Sequence, residues 1–288
     1  MTVVGGRPDT VKLKLTLGYD GAGFVGSQRQ VNARTVQGDL EQACEILADQ
    51  PVAVTLAGRT DRGVHAVGQV AACMDIRPEM PVERVRSALN QILPDDVGVS
   101  HLERVEAGFH PRFDATWREY RYRIFVGSKQ PLAGRQVWVR HRELNAATMS
   151  VAAASLQGTH DMASFTGGGE GVPWATRSQA KRGTTRTISL CSVQRIEGWW
   201  GTTPGSGDGV EIRVVADGFL PQMVRTIVGG LVSIGQGDEE PRWFPDLLAL
   251  ADRRRGPVLA PAHGLILWRV GYGNDVPDPD PNDNKHAN

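Results

Sequence analysis

The stretch VAVTLAGRTDRGVHAVGQVAAC spans residues 52–73. Two runs of small and β-branched apolar residues, VAVTL (52–56) and VGQVAAC (67–73), read as strands. Between them lies a bend carrying Arg59, Asp61, Arg62 and His65, with Gly58 and Gly63 among them. A carboxylate in such a bend has three readings. It caps backbone N–H groups, as loop aspartates commonly do. It ligates a metal together with His65, which needs a further ligand that the neighbourhood does not offer. Or it is a nucleophile or base, kept ionised by an adjacent arginine. The bend alone leaves all three open.

The pattern continues outward on both sides. Residues 11–17, VKLKLTL, alternate strictly, with Val11, Leu13, Leu15 and Leu17 on one face and Lys12, Lys14 and Thr16 on the other. That spacing predicts a strand with one buried face. Val36, Leu40, Ala43, Cys44 and Leu47 recur at a helical period over residues 36–49, with Thr35 placed to cap. Pro81 opens a second helix through Leu93, and VGVSHLERV (97–105) reads as a strand. The remaining chain follows the same plan. Strands are expected over 118–126, 186–196, 210–217 and 265–270, and helices over 145–157 (capped by Asn145, stopped by Gly158), 222–236 and 244–254. The mixture predicts an α+β fold with a largely antiparallel sheet.

Of the 288 residues, 40% are hydrophobic and 22% charged, the balance of a soluble globular protein. No apolar run approaches the ~18 residues of a membrane span, and MTVVGGRPDT lacks a basic-then-apolar leader pattern. Cys44, Cys73 and Cys191 lie far apart in apolar surroundings, so they are expected to be reduced core residues of a cytoplasmic protein. The net charge is zero, but unevenly spread. Residues 112–142 hold eight Arg or Lys against two acids, and residues 171–196 hold five against none. The last 17 residues hold four Asp and one Lys, and the segment after Gly273 has a disordered composition. Clustered arginine fits either solvated loops or a polyanion-binding surface.

Two further segments carry chemistry. FHPRFDATWREYRYRI (109–124) interleaves Arg112, Arg118, Arg121 and Arg123 with Phe113, Trp117, Tyr120 and Tyr122. That mixture suits phosphates and unstacked bases, or else an amphipathic strand with core tyrosines. FLPQMVRTIVGG (219–230) places Arg225 in an otherwise apolar helix, where a charge either reaches solvent at the helix edge or finds a buried acid, with Asp61 the candidate.

Taken in order, YDGAGFVGSQRQ (19–30), AGRTDRGVHAVGQV (57–70), FHPRFDATWREYRYRI and FLPQMVRTIVGG resemble the signature segments of the TruA family of tRNA pseudouridine synthases. GTHDMASF (158–165) and AHGLILW (262–268) also resemble that family, and the likeness spans about residues 11–272. The resemblance implies the pseudouridine synthase fold: two related α/β halves, helices on the outer face of the central sheet and an active-site cleft between the halves. The corresponding division is an extension over 1–10, a half over 11–112 carrying the catalytic loop, a second half over 113–273 and a tail over 274–288. It implies isomerisation of uridine to pseudouridine in the anticodon stem-loop of tRNA, without cofactor or metal, by a homodimer that binds neither membrane nor DNA. Asp61 matches the catalytic aspartate, Arg59 the arginine that helps extrude the base, Tyr120 the tyrosine that stacks on uracil, and Arg225 the arginine that pairs with the acid. Leu265 falls in the segment that lines the uracil pocket.

Two positions depart from the family. Ser27 stands where Trp is usual, which is expected to loosen packing behind the loop. Arg62 stands where a small residue is usual and is expected to add a phosphate contact. The Gly-rich stretch over 166–185 is also longer than the family pattern. A non-catalytic tRNA-binding protein or chaperone on the same fold, and a nucleoside hydrolase releasing free uracil, are the rival readings.

Overall fold

In the computed structural model, residues 11–167, 183–196 and 207–278 are described. The expectations for the N-terminal extension, most of the Gly-rich stretch and the end of the tail lie outside these residues. The described chain contains strands β1 to β10 and helices α1 to α5, an α+β arrangement in which strand pairing is mostly antiparallel. It divides into two units, residues 11–116 with 267–274, and the rest.

The first unit is built on β1 (Lys12–Tyr19), whose alternation runs two residues further than the leucines alone predict. Leu13, Leu15 and Leu17 are wholly buried, and Tyr19 joins them. Each such leucine contributes about 1.5–3 kcal/mol by leaving water. Helix α1 (Val36–Ala48) begins where Thr35 accepts a hydrogen bond from the Gly38 N–H. Strand β2 is shorter than the apolar run suggests, only Thr55–Leu56. The reason is local: the Val54 N–H donates to Glu41 Oε1 and the Val54 carbonyl accepts from Gln37 Nε2. Side chains of α1 thus satisfy the backbone groups that a longer strand would pair. Strand β3 (His65–Met74) is buried on nearly all sides. Helix α2 (Val82–Ile92) follows Pro81, which sits at the N-cap rather than inside the helix, and β4 (Val97–Val105) has the expected bounds. Antiparallel pairing orders these strands β4–β1–β3, with β2 also on β3.

In the second unit β5 (Ala115–Gly127) pairs antiparallel with β9 (Gly207–Ala216), β9 with β8 (Thr185–Ile196) and β8 with β7 (Gly158–Asp161). The short β6 (Trp138–Arg140) runs parallel to β5. Helix α3 (Ala146–Ala154) is capped by Asn145, which accepts from the Ala147 and Thr148 N–H groups, and it ends before the expected Gly158 stop. Helix α4 (Met223–Gly235) is almost entirely buried. Helix α5 (Trp243–Leu250) gives way to a 3-10 turn over Arg253–Arg255, so the expected helix over 244–254 is broken after Leu250. The last strand, β10 (Leu265–Tyr272), begins in the second unit and ends in the first.

Two buried thiols on different elements are neighbours, Cys44 in α1 and Cys73 in β3, and the nearby Cys44, with burial, pushes the Cys73 thiol up. The three cysteines are buried and free, and no described helix is long and apolar enough to cross a membrane.

Candidate active-site loop and surrounding residues

The loop between β2 and β3 is tied down from its inner side. The Ala57 N–H donates to the Val70 carbonyl at 2.8 Å, closing the strand pairing. Beyond it the Gln69 side chain holds Gly58 at both backbone groups, Nε2 donating to the carbonyl at 2.9 Å and Oε1 accepting from the N–H at 3.3 Å. Thr60 is held the same way by Ser27: its N–H donates to Ser27 Oγ at 2.8 Å, and its carbonyl accepts from the Ser27 N–H at 3.1 Å. The Thr60 hydroxyl meets the Tyr19 hydroxyl at 2.9 Å. The bend then closes with the Val64 N–H on the Asp61 carbonyl at 3.1 Å, and Gly63 supplies the left-handed φ of 80°.

Because Thr60 turns inward, Arg59 and Asp61 on either side of it turn outward. Thr60 is only 7% exposed, whereas Arg59, Asp61 and Arg62 are all exposed. An acid between two arginines is therefore presented to solvent on a bend whose backbone is fixed from below.

His65, weighed as a metal partner of Asp61, is buried at the start of β3. Its Nδ1 lies 3.1 Å from both the Gly21 N and Asp20 Oδ1. Nδ1 without a proton accepts from the Gly21 N–H, and Nδ1 with one donates to Asp20. Among the described residues no three His, Cys, Asp or Glu side chains gather as metal ligands.

Ser27 reverses its expectation. It does not leave the loop loosely packed; it is fully buried and bonds Thr60 directly. Gly26 before it takes φ 102°, and a β-carbon there would sit 3.0 Å from the Thr60 carbonyl. Burial pushes the Tyr19 hydroxyl up to about 12, against the pull of its hydrogen bonds to Thr60, Gln69 and Ser27, so it stays protonated. The positioning roles of Ser27, Tyr19 and Gln69 escaped sequence reasoning, since a lone serine or glutamine carries no pattern.

The second unit holds the other matched residues. Tyr120 on β5 is 9% exposed and meets Phe219 edge-on, with centroids 5.0 Å apart. Arg225 on α4 is half-buried; its Nε donates to the Ala260 carbonyl at 2.8 Å, and the Ala260 N–H returns a bond to the Arg225 carbonyl. It is anchored to a neighbouring segment, not simply extended into water. The adjacent Pro261 carbonyl accepts from the Tyr122 hydroxyl at 2.8 Å, and Leu265 is buried where β10 begins.

The stretch over 109–124 divides by face. Trp117, Tyr120 and Tyr122 are buried, while Phe113 is 68% exposed and stacks on His110 at 4.2 Å. Arg121 and Arg123 are engaged in ion pairs: Arg121 with Glu119 at 2.8 Å and Glu211 at 3.2 Å, and Arg123 with Glu211 at 3.0 Å. Arg213 pairs with Glu119 at 2.8 Å. For Arg121 and Arg123 the amphipathic-strand reading prevails over phosphate binding.

Comparison with known proteins bears on this arrangement. The family model described as "tRNA pseudouridine synthase" matches residues 17–114 and 152–273, which include Arg59, Asp61, Arg225 and Leu265, while Tyr120 falls between the two matched stretches. A protein of Solidesulfovibrio magneticus named tRNA pseudouridine synthase A is 40% identical over 272 residues, covering 91% of each chain. The Bacillus subtilis protein of that name is 39% identical over 268 residues, covering 92% of this chain and all of its own. The one from Thermotoga maritima is 39% identical over 253 residues, covering 88% of this chain and 96% of its own. A chain that matches over both units, and carries its charged bend inside the matched region, belongs to the tRNA pseudouridine synthase family.

Proposed function

We propose that this protein isomerises uridine to pseudouridine in the anticodon stem-loop of tRNA, with Asp61 as the catalytic carboxylate. The observation that carries the reading is an exposed acid flanked by exposed Arg59 and Arg62, on a bend clamped through Thr60. The relatives named above are tRNA pseudouridine synthases, which supplies the substrate class.

The reaction breaks the C1′–N1 bond, rotates the uracil and joins C5 to C1′; the C5 proton is lost and N1 gains one. Mass and oxidation state are unchanged, so the chemistry calls for neither a redox cofactor nor a hydrolytic metal. The base must first leave its stack, at a cost of a few kcal/mol, and Arg59 is assigned to fill the gap. Positive charge developing at the sugar favours an ionised acid beside it, as in glycoside cleavage. Arg225 is assigned to keep Asp61 ionised, Tyr120 to stack on the freed uracil and Leu265 to line its pocket. A homodimer acting on one tRNA is part of the same reading.

The test is incubation with an unmodified tRNA transcript, followed by pseudouridine mapping and a check for released base. Pseudouridine confined to the anticodon arm, with no free uracil, is the expected result. Bound but unmodified tRNA would instead establish a binding protein, and free uracil a hydrolase.

Arg62 is assigned a phosphate contact, because the loop that carries it would meet the tRNA backbone. Arg62→Ala is expected to weaken tRNA binding and to lower the magnitude of the salt slope of log K by about 0.7–0.9, the loss of one contact. The single-turnover rate at saturating enzyme should hold. A slope that stays at the wild-type value would make Arg62 a plain surface charge.

A further inference from the structure

We propose that Ser27 is a positioning residue for Asp61, acting through the backbone of Thr60. The inference rests on the reading of Asp61 as the catalytic carboxylate. Of the two bonds between Ser27 and Thr60, the one from the Ser27 N–H to the Thr60 carbonyl is available to any residue but proline. The other, from the Thr60 N–H to Ser27 Oγ at 2.8 Å, needs an acceptor one bond beyond the β-carbon. Ser27 is itself fixed, since its carbonyl accepts from the Gln37 N–H at 2.9 Å in the first turn of α1. The Thr60 side chain is held separately, its hydroxyl meeting the Tyr19 hydroxyl at 2.9 Å. Thr60 is thus held at its N–H, its carbonyl and its side chain.

The peptide plane that carries the Thr60 N–H also carries the Arg59 carbonyl, and the next plane leads to Asp61. Planarity transmits the constraint to both neighbours. Ser27 is wholly buried, so removing Oγ leaves the Thr60 N–H without an acceptor and without ready access to water. The plane turns to find one, and Arg59 and Asp61 turn with it. The rest of the loop has its own anchors at Ala57, Gly58 and Val64, so the hairpin survives. Loss of the Ser27 hydroxyl should therefore misplace the acid without unfolding the protein, and misplacement by about 1 Å costs up to about 10²-fold in rate.

The decisive experiment compares Ser27→Ala and Ser27→Cys with wild type in the full chain. It measures single-turnover rate at saturating enzyme, tRNA affinity, and hydrogen exchange at the Thr60 amide. Ser27→Ala is expected to slow the chemical step about tenfold, with affinity within about twofold and with faster Thr60 exchange, and Ser27→Cys to recover part of the rate. Should Ser27→Ala fail to fold, Tyr19→Phe removes the hydroxyl bonded to the Thr60 side chain, keeps the ring, and is expected to give the same split. A Ser27→Ala rate equal to wild type overturns the proposal, as does an equal fall in rate and affinity. Asp61→Asn serves as control: if that variant stays active the underlying reading fails, and if it is inactive while Ser27→Ala is normal, only the positioning role fails.

Discussion

Asp61→Asn is expected to lower the single-turnover rate by about 10³-fold or more while leaving fold and tRNA affinity in place. The substitution keeps the shape of the side chain and removes its charge. The loop should not rearrange, because it is held through Gly58, Thr60 and the Asp61 carbonyl, none of which involves the Asp61 side chain. Affinity should persist because phosphate contacts dominate it. The measurement is pseudouridine formed against time with enzyme in excess, alongside a binding titration at one fixed salt concentration. Turnover by the purified Asn variant at the wild-type rate would remove Asp61 from the chemistry.

The largest expected effect on stability is at Glu119. This carboxylate is wholly buried between β5 and β9, accepting from Arg121 Nε at 2.8 Å and from Arg213 Nε and Nη2 at 2.8 and 3.1 Å. Arg121 and Arg213 face each other across the two strands. In Glu119→Ala they confront one another without the carboxylate between them, Arg121 keeping its bond to Glu211 and Arg213 its bond to the Asp278 carbonyl. Breaking such a pair from one side costs about 3–5 kcal/mol. Glu119→Gln retains an acceptor and should cost less than Glu119→Ala. Urea unfolding monitored by circular dichroism reads both values, and a loss below about 1 kcal/mol for Glu119→Ala would show that water reaches the cluster.

Periodicity reveals an element where one face is buried and each residue answers to its own neighbours. Strand β1, helix α1 with its Thr35 cap, and β4 meet that condition, and all were legible. Strand β2 does not, because Glu41 and Gln37 of α1 take over the backbone of Val54, and no local pattern encodes a competitor on another element. The same limit governed the charged face of β5. Whether Arg123 binds phosphate or an acid depends on Glu211, 88 residues away in sequence. The candidate residues stood out because Asp61 and its arginines form one short motif that resembles a known family. Their supports, Ser27, Tyr19 and Gln69, are scattered over 51 positions and become a set only when the chain folds.

The first unit takes its final strand segment from residues 267–274, more than 150 positions beyond the end of its main segment at Thr116. That segment is closely fitted. Gly68 approaches the Trp268 carbonyl so closely that no β-carbon has room, Thr116 Oγ1 donates to the Gly271 carbonyl and the Tyr272 hydroxyl to the Pro111 carbonyl. On the ribosome, the unit begun first is therefore the one that must wait, lacking a strand until residues 267–274 have been translated. Domains generally fold as units in the order of synthesis, and an incomplete one exposes unpaired edge and apolar surface. A stalled or truncated message ending before residue 267 would yield an N-terminal unit that cannot finish folding, which makes its early fragments natural clients for chaperones and proteases.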